Sequence, residues 1–287
     1  MEEIINNHIS FGYWKFSDEE RKQLDNVRSG KIAIADYELP NYDDNHDYFF
    51  NYDDNQKSKD NIDWQGYSVY KEQIDKLDVN NPTVKNKIIY GLNQSKDGTE
   101  GNALRNFHTA SLGDRYFASN IIGTNYEGVL LSDVIKSIVD SSSEETMDKW
   151  KAFNDEEKLD DKTSFIEEIK FVKKQSSDWE YFTFVAFSGD AVKVITEFLK
   201  SKTVKDFLQA EKLIPIVCKL YHYSSEFRVP KEEKKYIMIN QVAMLDDYLQ
   251  NNVYNKPADE NMKFIKVNVK REQGKLHFSW ANIRFHR

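Results

Sequence analysis

Four short apolar runs constrain the fold of this chain more than any other feature of its sequence. Each has the length of a strand buried on both faces, and the stretches between them are long enough to hold helices. The runs are 88–92, 128–131, 182–187 and 214–220. Runs of this kind are typical of a parallel sheet. We therefore predict an α/β fold, a three-layer α/β/α sandwich around a four-stranded parallel sheet, with an N-terminal extension and a C-terminal β-hairpin.

The segments on either side of these runs predict the domain organisation. Residues 1–80 are acidic and aromatic-rich, and we expect them to form an extension with one early helix, capped by Ser17 and Glu20. Residues 81–230 hold the four runs and form the predicted core. Residues 231–287 are expected to add a helix and a basic β-hairpin that pack on this core.

Local patterns predict further helices and the hairpin. The turn Ser188-Gly189-Asp190 comes before apolar residues at helical spacing, and Ser164 with Glu167 is typical of another helix start. Near the C-terminus, apolar and polar residues alternate on both sides of Gly274, which predicts a hairpin with one lysine-rich face. The alternating apolar residues are Ile265, Val267, Val269, Leu276, Phe278 and Trp280.

Charge and cysteine content limit the class of protein. The formal net charge of −8 argues against nucleic acid as a partner, but the segment from 263 to the end carries seven bases against one acid. No apolar run approaches the roughly 20 residues that cross a bilayer, and the N-terminus lacks the pattern of a secretory signal. Cys218 predicts a buried thiol, so we expect a cytoplasmic protein. The histidines show no metal-ligand spacing and predict no metal site.

Polar residues follow each of the four runs. They include one histidine and several groups able to bind a base edge, and they are Asn93-Gln94-Ser95, Ser132-Asp133, Ser188-Gly189-Asp190 and His222-Tyr223-Ser224-Ser225. Ligands of open parallel sheets bind at the carboxyl ends of the strands. We therefore predict one pocket formed by Asn93, Asp133 and His222.

These segments, in this order, resemble the motifs of the uracil-DNA glycosylase superfamily. Tyr90-Gly91-Leu92-Asn93-Gln94-Ser95 resembles the first family motif, and His222-Tyr223-Ser224 is similar to the second, His-Pro-Ser. Residues 128–134 resemble the strand that ends in the base-reading residue, and residues 184–191 resemble the next strand and its small-residue turn. The resemblance covers about half the chain. Gln94, Ser95 and Tyr223 replace Pro-Gly and Pro, which indicates a divergent branch.

The resemblance implies a DNA glycosylase that flips a uracil-like or modified base out of single- or double-stranded DNA and hydrolyses its N-glycosidic bond without a cofactor. It implies that Asn93 positions the attacking water and that His222 donates a hydrogen bond to the base oxygen as negative charge develops there. The other implied roles are base binding by Gly91, Phe107, Asp133 and Ser188, phosphate contacts by Ser95, Ser224 and Ser225, and a wedge at Phe227.

Asp133 stands where many members of that family have Asn. An ionised carboxylate offers acceptors only, so it suits a base with an exocyclic amine better than the O4 of uracil, whereas a protonated carboxyl could still donate to O4. We expect Asp133 to shift base choice away from plain uracil.

Each candidate also has a structural alternative. Asn93 and Asp133 can cap the helices that follow them, and His222 can be a structural histidine behind a buried strand. Phe107 and Phe227 can belong to the core, and the basic hairpin can be a solvated surface. Two other functions stay open: a catalytically inactive module that binds a nucleobase or nucleic acid, and a hydrolase that acts on free nucleosides or nucleotides.

Overall fold

The computed structural model describes residues 9–12, 16–39, 86–93, 112–140, 142–173, 180–222, 231–256, 263–272 and 275–282. The strands are β1 (Ile9–Phe11), β2 (Lys87–Asn93), β3 (Leu130–Ile135), β4 (Tyr181–Ala186), β5 (Ile214–Lys219), β6 (Lys263–Glu272) and β7 (Lys275–Asn282). The α-helices are α1 (Asp18–Arg28), α2 (Leu112–Ile121), α3 (Ser143–Ala152), α4 (Leu159–Lys173), α5 (Gly189–Lys200), α6 (Lys202–Ala210) and α7 (Lys231–Leu249). A 3-10 turn at Ile34–Asp36 follows α1, and a π-helical turn at Gln250–Tyr254 extends α7.

All the strands join one seven-stranded sheet in the order β1-β3-β2-β4-β5-β6-β7. The five central strands are parallel, β1 pairs antiparallel with β3, and β7 pairs antiparallel with β6. The predicted α/β class is confirmed. The predicted four-stranded sheet is wrong in extent, because the first strand of the C-terminal hairpin pairs parallel with β5 and a short N-terminal strand pairs with β3.

Helices cover both faces of the sheet, and each face has its own hydrophobic core. On the face covered by α3, α4, α5 and α6, which we call the α4 face, Phe165 stacks on Phe184 with ring centroids 5.0 Å apart. The opposite face, which we call the α7 face, is covered by α1, α2 and α7, and Leu24 and Val27 of α1 are buried there.

The crossover between β5 and β6 has the opposite hand to the three before it. The connection from β2 to β3 runs over the α7 face toward the β1 edge of the sheet. The connections from β3 to β4 and from β4 to β5 run over the α4 face toward the β7 edge. Because both the face and the direction are reversed, these three crossovers have the same hand. The connection from β5 to β6 also runs toward that second edge but carries α7 on the α7 face. Within the described residues, no helix therefore covers the α4 face of β6 and β7, and a groove is left beside α5.

Local predictions were confirmed at the caps, and two were wrong. Ser17 forms the predicted capping box with Glu20, and Ser188 caps α5 by accepting a hydrogen bond from the Ala191 amide at 3.0 Å. Ser164 does not start a helix but lies inside α4, which begins five residues earlier, at Leu159. The helix predicted after Asp133 is instead the end of β3, since its β-branched residues suit a strand buried on both faces.

The C-terminal hairpin is confirmed in position and pattern. Val267 of β6 pairs with Trp280 of β7, and Trp280 stacks on Tyr248 of α7 with ring centroids 5.5 Å apart. Cys218 is a buried free thiol, as predicted. In the part of the chain that the structure describes, no helix has the length and apolar character needed to cross a membrane.

Candidate functional site

The register of the parallel strands puts Asn93 and His222 at the same edge of the sheet. Tyr90 of β2 pairs with Ala186 of β4, which pairs with Lys219 of β5, so these three residues form one row across the sheet. Asn93 and His222 each lie three residues beyond this row. Both residues therefore lie at the carboxyl edge of the sheet, Asn93 as the last residue of β2 and His222 three residues after the end of β5, and β4 lies between these two strands.

Asn93 is the last residue of β2 and is half-buried. Its side-chain amide nitrogen donates a hydrogen bond to the backbone carbonyl of Asp140 at 2.8 Å. The carboxylate of Asp140 in turn pairs with Lys149 at 2.5 Å and accepts a hydrogen bond from the Ser142 amide. The segment after β3 is thus fixed by several bonds, and it holds the plane of the Asn93 amide in one orientation.

The position of His222 is set by a buried glutamine of α7. The side chain of Gln241, which is fully buried, accepts a hydrogen bond from the Tyr221 amide and donates one to the Tyr221 carbonyl, both at 2.9 Å. These two bonds fasten the chain beside His222 to α7. Burial, together with the positive charge of Lys234, lowers the pKa of the His222 imidazole to about 4. At neutral pH the ring is therefore uncharged and carries one N–H donor.

This pKa predicts how stability depends on pH. The His222 pKa is lower in the folded protein than its usual 6.5, so between pH 6.5 and about 4 the unfolded chain binds a proton that the folded chain does not. As the pH is lowered from 6.5 to about 4, we expect His222 to decrease the free energy of unfolding by at most about 3 kcal/mol. Above pH 6.5 this residue should have no effect on it. Urea unfolding at a series of pH values measures the effect. In His222→Asn this part of the pH dependence should disappear, and an unchanged slope in the variant would contradict the assignment.

Asp133 and Gly91 lie inside the sheet and not beyond it. Asp133 is the fourth residue of β3, is 1% exposed, and pairs in register with Gly91 of β2. The prediction that Asp133 follows its strand, and the alternative that it caps a helix, are both wrong. The run seemed to end at Leu131 because two polar residues follow, but the Ser132 hydroxyl donates to the buried Glu168 carboxylate at 2.6 Å, which allows the strand to continue.

Of the remaining predicted site residues, one is a helix cap and five lie outside the described residues. Ser188 lies after β4 at the same edge as Asn93 and His222, and its hydroxyl oxygen accepts the α5 cap hydrogen bond. The others, which lie outside the described residues, are Phe107, Ser95, Ser224, Ser225 and Phe227.

A groove that the sequence did not predict runs along α5 from this edge. Its volume is about 630 Å³, and one wall is a stripe of α5 while the other is formed by β5 and β6. The lining residues are Gly189, Val192, Lys193, Thr196, Glu197, Lys200, Lys219, Phe264 and Lys266. Asn93, Asp133 and His222 are not among them, but His222 follows Lys219 by three residues. The one sequence signal for the groove is Lys219, a charged residue in an otherwise apolar run.

The chemistry available at this edge is a neutral hydrogen-bond donor, an oriented amide and a nearby set of ammonium groups. Among the described residues, no group of three or more His, Cys, Asp or Glu side chains is arranged to hold a metal ion. Comparison of the chain with protein family models, with curated proteins and with solved structures finds no match.

Proposed function

We propose that this protein is a DNA glycosylase of the uracil-DNA glycosylase type, which hydrolyses the N-glycosidic bond of a flipped base. The observation that supports this proposal best is that Asn93 and His222 both lie at the carboxyl edge of the parallel sheet, at or just beyond the ends of their strands. The motif resemblance assigns these two residues the water-positioning and base-contacting roles.

The state of His222 suits this reaction. In a dissociative mechanism, the bond to the base breaks first, and negative charge develops on the departing base. A neutral imidazole donates its N–H to the base oxygen as that charge develops, and a preorganised donor of this kind contributes a few kcal/mol to transition-state stabilisation. The low pKa keeps the ring neutral at physiological pH, and the clamp from Gln241 reduces the reorganisation that the step needs.

Asn93 would act on the other reactant, the water that attacks the sugar C1′. A neutral amide is a poor base, so its part is to orient the water and not to remove its proton before the glycosidic bond breaks. The hydrogen bond from its amide nitrogen to Asp140 supports this part, because it fixes the direction of the side chain. Asp133 is not included in this proposed site, because it is buried inside β3.

The proposal is tested by incubating the full chain with oligonucleotides that each carry one altered base. The panel includes uracil, modified cytosines and deaminated purines, in single and double strands, and abasic sites are revealed by alkaline cleavage. We expect strand breaks at one class of base only. If the protein binds the oligonucleotides and releases no base from any of them, the glycosylase activity is excluded and the inactive binding module takes its place.

A further inference from the structure

The groove beside α5 carries positive charges that the described residues of the protein do not neutralise. Lys219 of β5 and Lys266 of β6 are direct neighbours in the sheet register, and both side chains face the α4 face, where they line the groove. Like charges at neighbouring positions of adjacent strands destabilise a sheet. Within the described residues neither lysine has a carboxylate at ion-pair distance. Their shared position therefore costs stability unless an anion binds between them.

The end of α5 adds to this unfavourable arrangement. A Cβ atom at Gly189 would lie 3.0 Å from the Lys219 ammonium nitrogen, so that nitrogen rests against the first turn of the helix. Helix N-termini carry a partial positive charge, and a cation is disfavoured there. Burial and the positive charges of Lys266 and Lys193 lower the pKa of Lys219, and the negative charge of Asp190 acts in the opposite direction.

The acidic residues close to the groove are already neutralised. Asp190 pairs with Lys193 at 2.7 Å, and Glu197 pairs with Lys158 at 3.0 Å while accepting a hydrogen bond from the Trp150 indole at 3.3 Å. The groove thus has net positive charge although the whole chain has a formal charge of −8. A bound anion would meet the ammonium groups of Lys219 and Lys266 without displacing an internal salt bridge.

The shape of the groove indicates what kind of anion fits. Its lining residues extend from Gly189 to Lys200, a rise of about 17 Å along α5. Val192, Thr196 and Phe264 are nearly buried and form its floor, and lysines stand on both walls. A chain with phosphates along its backbone and apolar faces on its bases satisfies both features in every residue, whereas an acidic peptide satisfies them only if apolar side chains alternate suitably with its carboxylates.

We propose that the groove between α5 and the β5–β6 pair binds the phosphodiester backbone of single-stranded nucleic acid, with Lys219 and Lys266 holding one phosphate between them. Binding of a strand in the groove does not depend on the proposed function. Only the role of the groove rests on it, which would be to lead a strand away from the edge where His222 lies. The three residues from Lys219 to His222 span at most about 11 Å, so the edge and the groove can contact the same strand.

The experiment measures binding of the full chain to fluorescein-labelled oligothymidine, which contains no candidate substrate base, over a series of KCl concentrations. The double variant Lys219→Gln, Lys266→Gln is expected to bind on the order of tenfold more weakly, and the magnitude of the slope of log affinity against log salt should fall by about 0.7, the contribution of one phosphate on a single strand. The matched control is Lys22→Gln, which removes one exposed lysine from α1 on the opposite face. Equal affinity and slope in the double variant and the wild type would overturn the proposal.

A second variant separates a binding role from a structural one. Lys266→Glu puts a carboxylate beside Lys219, so without nucleic acid its thermal midpoint should equal or exceed that of the wild type, while oligothymidine binding is lost. If this variant or Lys266→Gln lowers the midpoint by several degrees, the lysines stabilise the fold and the proposal is wrong. Competition by poly-glutamate as strong as that by oligothymidine at equal charge would also overturn it, as would tighter binding of a duplex.

These results are independent of base release. If the double variant loses oligothymidine binding and no altered base is released from any oligonucleotide, nucleic-acid binding in the groove is supported and the glycosylase activity is excluded. If base release is observed and the double variant binds as the wild type does, the glycosylase proposal stands and the groove is wrong.

Discussion

His222→Ala and Asn93→Ala are each expected to lower the rate of base release by about 100- to 1,000-fold, which corresponds to the loss of one preorganised group at a reacting centre. Both residues are proposed to act on the transition state, so oligonucleotide affinity should change much less than the rate. Single-turnover cleavage on the substrate identified in the base panel measures the rate, and fluorescence anisotropy measures the affinity.

Two further variants make this test specific. His222→Gln keeps a neutral N–H donor at the same position and should lose less activity than His222→Ala. Asn251→Ala removes an exposed asparagine of the π-helical turn and should be unchanged in both rate and affinity. If both alanine variants at the sheet edge retain the wild-type rate, these residues have a structural function and the proposed mechanism is wrong.

Glu168→Ala is expected to lower the free energy of unfolding by about 3–5 kcal/mol, because it leaves a nearly buried lysine without its partner. The Glu168 carboxylate is 3% exposed, pairs with Lys136 at 2.9 Å, and accepts hydrogen bonds from the Tyr90 hydroxyl at 2.7 Å and the Ser132 hydroxyl at 2.6 Å. The substitution removes the carboxylate from all three donors. Lys136 keeps a neutral acceptor, the Asp133 carbonyl at 2.6 Å, but its buried charge loses the compensating carboxylate, which is costly. Urea unfolding measures the change.

The neighbouring glutamate on the same helix is a matched control. Glu167 pairs with Lys170 at 2.7 Å, but both side chains are much more exposed, and such surface pairs contribute about 0–1 kcal/mol. Glu167→Ala should therefore be close to the wild type in stability. Equal decreases in the free energy of unfolding of the two variants would contradict the prediction that the buried Glu168 stabilises the fold more than the exposed Glu167.

The sequence by itself determined the features that depend on neighbouring residues. Period-two alternation placed β6 and β7 with their apolar residues on one face, because successive side chains in a strand point to opposite sides. The spacing of Ser17 and Glu20 located the start of α1, since a capping box is closed within four residues. The four apolar runs were sufficient for the α/β class, and the residues after β2 and β5 placed Asn93 and His222 at the end of their strands.

Only the tertiary structure decided the features that depend on partners far apart in the chain. The length of β3 depends on Glu168, which lies on α4 and satisfies the hydroxyl of Ser132, so a polar residue in the sequence did not end the strand. The groove depends on Lys219 and Lys266, which are 47 positions apart in the sequence and become neighbours because β6 pairs with β5. Among the described helices none covers it, because α7 packs on the other face of the sheet. Local patterns contain neither the strand register nor the hand of a crossover, since both are set by which distant apolar surfaces bury each other.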